Sequence, residues 1–109
     1  MPIIELQIYL DNYSRATFED WFGGCDPQAQ AKVTIALDRL RNGNDSHVES
    51  IDSGVFEVKI NWGPGYRVYF GRNGIRIILL LGGSTKQRQN NDIAAAKMRW
   101  ADYKTRKPQ

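Results

Sequence analysis

The sequence predicts an α+β domain, and three observations carry that reading. Two helix-period segments lie near the start, a run of period-two strands broken by glycine turns fills residues 55–81, and a third helix-period segment follows it. With 109 residues, 41% of them hydrophobic, the chain is long enough for one core and short for two, so residues 1–109 are read as one domain.

The elements follow in order. Ile4, Leu6, Ile8 and Leu10 alternate along 3–10 and predict a first strand. Ser14 is the expected cap of a short helix in which Phe18, Trp21 and Phe22 fall at i, i+3 and i+4, and Gly23-Gly24 ends it. Asp26-Pro27 opens a second helix with a capping carboxylate and a proline at the first helical position, where its missing N–H costs nothing. Val33, Ala36, Leu37 and Leu40 form its apolar stripe, and Asn42-Gly43 closes it. A polar connection follows, with a short strand expected near His47–Ile51; His47 is the single histidine and reads as a surface residue.

From Val55, Phe56, Val58, Ile60 and Trp62 face one way and Glu57, Lys59 and Asn61 the other. The next strand puts Tyr66, Val68 and Phe70 on one face and Arg67 and Tyr69 on the opposite one. Pro64-Gly65 is the expected central pair of the turn between them, and Asn73-Gly74 that of the following hairpin. Ile75–Leu81 is almost wholly apolar, the mark of a central strand covered on both sides, and it ends in Gly82-Gly83-Ser84-Thr85. Ile93, Ala96, Trp100 and Tyr103 stripe a last helix over 92–104, and a frayed basic tail is expected from about Thr105.

Composition narrows the chemistry. One cysteine, Cys25, excludes an internal disulfide and a multi-cysteine metal site; no apolar run is long enough to span a bilayer and no export signal is visible. The expected compartment is the cytoplasm. The net charge of +3 conceals an asymmetry: residues 1–58 hold 4 Lys/Arg against 10 Asp/Glu, a balance of −6, and residues 59–109 hold 11 against 2, a balance of +9. A basic half of this kind is the footprint of a domain that meets phosphates or an acidic partner.

Lys59 and Arg67 are expected on the non-core faces of neighbouring strands, with Lys86 and Arg88 just past the end of the apolar strand. Four such cations, with Tyr69 available for stacking, suit a single-stranded RNA or DNA backbone. Gly82–Lys86 lacks the order of a phosphate-cradling P-loop, and serine catalysis has no base near it. One reaction left open is phosphodiester cleavage in which the 2′-hydroxyl of RNA attacks its own phosphate, needing cations around the transition state and groups that move protons. The cations are legible and the proton-transfer groups are not.

Taken together, Gly63-Pro64-Gly65-Tyr66-Arg67-Val68-Tyr69-Phe70, then Leu79-Leu80-Leu81-Gly82-Gly83, then Lys86, Gln89 and Asp92-Ile93 resemble the RelE/ParE toxin superfamily of type II toxin–antitoxin systems, and within it the HigB-like addiction-module killer proteins. The resemblance implies two N-terminal helices on a twisted, mostly antiparallel sheet of about four to five strands, plus a C-terminal helix. It implies a toxin that cleaves messenger RNA on the ribosome without a metal or other cofactor, and a cognate antitoxin, one with a helix-turn-helix being compatible, encoded beside it. Arg67 corresponds to the arginine that stabilises the phosphate; Lys59, Lys86 and Arg88 are the nearest matches to the remaining catalytic cations. Tyr69, Gln89 and Arg72 are the expected RNA-binding residues. Glu57 stands where the RelE pattern has a second lysine, and Asn91 or Asp92 where it has a tyrosine. Glu57 is therefore open to two readings, a base or a salt-bridge partner of Lys59. Two other functions stay open: a gyrase inhibitor of ParE type on the same fold, and a basic binding module without toxicity.

Overall fold

A computed structural model describes residues 3–106. It is α+β: β1 (Glu5–Ile8), α1 (Thr17–Gly23), α2 (Pro27–Arg41), β2 (Val48–Asp52), β3 (Val55–Ile60), β4 (Tyr66–Asn73), β5 (Ile77–Thr85), a 3-10 turn (Lys86–Arg88) and α3 (Gln89–Arg106). The five strands form one mixed sheet in the order β1-β5-β4-β3-β2, in which β1 runs parallel to β5 and the other pairs are antiparallel. No helix of the described residues is long and apolar enough to cross a membrane.

Local chemistry accounts for the helix boundaries. The Asp26 carboxylate accepts from the Ala29 N–H at 2.9 Å with Pro27 at the first helical position, and Gly43, at φ +86°, receives the chain beyond the Asn42 cap. Ser14 does not cap α1. It sits at φ +62° in the preceding turn, and the cap position belongs to Ala16, which offers no side-chain bond. The Asp11 carboxylate instead organises that turn, accepting from Tyr13 N and Arg15 N.

Both sheet turns differ from expectation by one residue. Gly65 N–H donates to Trp62 O, so Gly63 (φ +58°) and Pro64 are the central pair rather than Pro64 and Gly65. Between β4 and β5, Asn73 pairs with Ile77, which leaves a three-residue loop, Gly74–Arg76, instead of a two-residue hairpin. Ile75 is thus 78% exposed in a loop and is not part of the apolar strand. At the C-terminal end, Thr105 and Arg106 complete α3, since the Arg106 guanidinium donates to Leu10 O and pairs with Asp102. Lys107 and the rest of the expected tail lie outside the described residues.

The sheet has a core on each face. On one side Phe18, Val33 and Leu40 of α1 and α2 meet Val58, Ile60, Val68, Phe70, Ile78 and Leu80. On the other, Ala96 and Trp100 of α3 meet Val55, Tyr69, Leu79 and Leu81. Adjacent residues of a strand serve opposite faces, and the glycines show how closely the helices approach. A Cβ on Gly83 would lie 2.4 Å from the Trp21 ring, and one on Gly71 2.3 Å from the Trp100 ring. The two tryptophans therefore seat on bare backbone on opposite faces of the sheet.

A register shift in β5 joins the layers. Tyr69 pairs with Gly82 and Phe70 with Leu80, so Leu81 is the extra residue of a bulge. Its carbonyl accepts both from Thr17 Oγ1 of α1 and from Arg99 Nη1 of α3, each at 2.9 Å. The expected strand centrality is shifted accordingly: β5 is an interior strand, and β4 occupies the middle of the sheet.

Gly71→Ala and Gly83→Ala should each lower stability by about 1–3 kcal/mol, because the methyl group enters space held by an indole. Their effects should add to within about 0.5 kcal/mol in urea unfolding, since the two seats share no side chain. Asp102 supplies a pH prediction. Hydrogen bonds from Tyr9, at 2.5 Å, and from Arg106 hold its carboxyl below the usual value of 3.8. A depressed folded-state value stabilises above the unfolded value and is lost as pH falls through the folded one. Asp102→Asn should therefore flatten the acid side of the stability profile, below about pH 4, measured by thermal melts across pH.

Candidate functional site

The alternation of β3 and β4 brings the central expected residues into one row. Lys59 of β3 pairs with Arg67 of β4, and Arg67 with Ser84 of β5; the neighbouring row holds Glu57, Tyr69 and Gly82. Both rows are on the face that α3 covers, since Tyr69 packs with Ala96 and Trp100. Lys86 arrives at the same end of the sheet: its N–H donates to Gly65 O at 3.0 Å, and its side chain is exposed. The structure thus gathers Lys59, Arg67 and Lys86 near the Gly63–Gly65 turn.

The environment of these residues is not the expected open basic surface. The Arg67 and Glu57 side chains are 8% and 5% exposed, with Arg67 Nε 3.3 Å from Glu57 Oε2. Arg67 Nη1 also donates to Tyr66 O at 3.2 Å. Nε itself lacks a hydrogen-bond partner among the described residues, because its N–H is poorly aimed at the carboxylate. A buried donor of this kind is uncommon and calls for an acceptor. Glu57 pairs with Arg67 and not with Lys59, whose ammonium contacts Glu49 at 2.5 Å on the β2 edge.

Tyr69 is corrected as a stacking platform. It is fully buried, its hydroxyl bonded to Ser84 Oγ at 2.8 Å, so no base can lie on its ring in this conformation. Burial pushes its hydroxyl above the ordinary tyrosine value, with the Glu57 and Asp92 charges adding and the Ser84 bond and Arg67 opposing. Arg72 is also displaced from the expected site. It alternates onto the other face, where its guanidinium lies over the rings of Phe56 and Phe70 at 5.1 and 5.6 Å and pairs with Asp45. Arg88 ends the 3-10 turn and Gln89 begins α3, next to Lys86; their side chains lie outside the described residues.

Part of the charge asymmetry between chain halves is neutralised within the fold. Lys59–Glu49, Arg67–Glu57, Arg72–Asp45 and Lys97–Asp52 each join a cation of the second half to an acid of the first. Most are exposed and contribute little to stability individually. Arg67–Glu57 is the exception, because both ends are desolvated.

No family model matches the chain. An uncharacterized protein of Haemophilus influenzae is 40% identical to it over 84 residues, which cover 75% of this chain and 84% of that protein. The chain belongs to the family of that protein. Such identity over most of both lengths means that the two share a fold.

Glu57→Gln should destabilise the fold by about 3–5 kcal/mol, since it strands the buried Arg67 charge, whereas Glu57→Gln with Arg67→Gln should recover most of the loss. Denaturant titration of the two variants checks this; equal losses would mean the pair is not coupled.

Proposed function

We propose that this protein is a RelE/ParE-type toxin of a toxin–antitoxin system that cleaves messenger RNA, with the catalytic centre at Arg67 and Glu57. The observation that carries the reading is the buried Arg67 guanidinium with one N–H left without an acceptor among the described residues, beside a carboxylate and at the end of the sheet where Lys86 arrives. A phosphate oxygen is a matching acceptor, and the fork of arginine suits it. The HigB-like order of residues from Gly63 to Ile93 supports the same conclusion.

In this mechanism Arg67 holds the scissile phosphate and offsets the charge that grows on it in the pentacovalent transition state. Glu57 takes the proton of the 2′-hydroxyl as its oxygen attacks phosphorus. The bond from phosphorus to the 5′-oxygen breaks, the leaving oxygen is protonated from solvent at the exposed Lys86 end, and a 2′,3′-cyclic phosphate remains. Lys59 and Lys86 add positive potential on either side of Arg67. Because Arg67 and Glu57 are about nine-tenths buried, RNA entry requires their cover to shift, which a ribosomal surface can favour by binding the shifted form. The antitoxin of this reading is an acidic polypeptide that lies across the Lys86 end of the sheet in the cytoplasm.

Induction of the wild-type chain in a bacterium should arrest growth and create new 5′-hydroxyl ends inside coding regions. Glu57→Gln/Arg67→Gln should lower that cleavage by about a hundredfold or more while remaining folded by circular dichroism. DNA breaks with intact messages would select a gyrase target instead, and unaffected growth a non-toxic binding module.

A further inference from the structure

A polar concavity lies between α2 and the end of β3. It has a volume of about 280 Å³, near the lower end of ligand sites. Helical spacing at i, i+3, i+4 and i+7 turns Lys32, Ile35, Ala36 and Arg39 toward it, and Asn44, His47, Asn61 and Trp62 close the remaining sides. Beyond the start of β2 the β3 edge has no neighbouring strand, which is why a cleft persists there.

Its chemistry is specific in three respects. Lys32 and Arg39 are exposed and make no ion pair among the described residues, in contrast to the paired cations of the sheet. No carboxylate lines the cleft among the described residues, although the first half of the chain is acidic. Trp62 is half-buried, its ring stacked on Tyr66 at 6.4 Å and 19°, and so is held in a fixed plane. An indole plane, two amide side chains and two unpaired cations match a base, its hydrogen-bonding edge and its phosphate.

We infer that this cleft binds a nucleotide unit, with the base against Trp62, the base edge on Asn44 and Asn61, and the phosphate on Lys32 and Arg39. Lys59, the register partner of Arg67, also lines the cleft, so it opens beside the Arg67 row, but its lining excludes Arg67 and Glu57 and the binding does not depend on cleavage. The unit can come from a free nucleotide or from single-stranded RNA, and the same chemistry reads both.

The test is nuclear magnetic resonance titration of the folded protein with adenosine 5′-monophosphate, with a single-stranded tetra-adenylate, with adenosine and with inorganic phosphate. Saturable shifts of the Trp62 indole and of the Asn44 and Asn61 side-chain amides are expected with the monophosphate if the source is free nucleotide, or with the tetramer alone if it is a strand. Lys32→Glu/Arg39→Glu should weaken that binding at least tenfold at low salt. Adenosine and phosphate should each bind at least tenfold more weakly than the preferred probe. The inference is overturned if phosphate alone reproduces the shifts, if shifts spread over the whole surface without saturating, or if the double charge reversal leaves affinity unchanged.

Discussion

The fold depends on two tryptophans that lie directly on glycine backbone. Trp21 on Gly83 and Trp100 on Gly71 set how near α1 and α3 come to the sheet, and every other contact between layers inherits that distance. With the helices so close, β4 and β5 are covered on both faces, and polar side chains on those strands must find partners within the protein. Leu81 O, receiving Thr17 from one layer and Arg99 from the other, is one product of that requirement. The Tyr69–Ser84 bond is another.

Arg67 and Glu57 are best understood within the same constraint. A charged pair beneath a helix is costly to desolvate, and a hydrophobic pair of similar size would serve stability as well or better. Its presence at the end of the sheet, with one guanidinium N–H lacking a hydrogen-bond partner among the described residues, is not explained by packing alone. Lys86 sits beside it, while Lys59, Arg72 and Lys97 are tied to Glu49, Asp45 and Asp52, so local potential, and not the charge of a chain half, is the relevant quantity.

Much of this was legible in residue order. Asp26-Pro27, the alternation of Phe56 to Trp62, the stripe of Ile93 to Tyr103 and the placement of Arg67 opposite Tyr66 all follow from periods and caps, which act over a few residues. What escaped is set by contacts between distant residues. Glu57 and Tyr69 looked like a solvated face because alternation tells which residues share a side and not whether a helix covers it. A usable signal was present: a strand as apolar as Ile77–Leu81 needs cover on both faces, and its neighbour Tyr69 must share that cover. Glycine at 71, 82 and 83, inside strands, pointed the same way, since it marks close approach as readily as a loop. Partner choice among charges, as in Lys59 with Glu49, follows from strand register and has no local signature.

The pairing of β1 with β5, and the anchoring of Arg106 to Leu10 O, join the beginning of the chain to its end. Contacts of that span form late, because the intervening loop must close before they contribute. During synthesis, a chain whose α3 is still within the ribosome leaves Leu79, Leu81 and Tyr69 uncovered. Docking of the last helix is then the event that closes the second core, so the face of the sheet that carries Arg67 and Glu57 gains its cover after the rest of the sheet is in place.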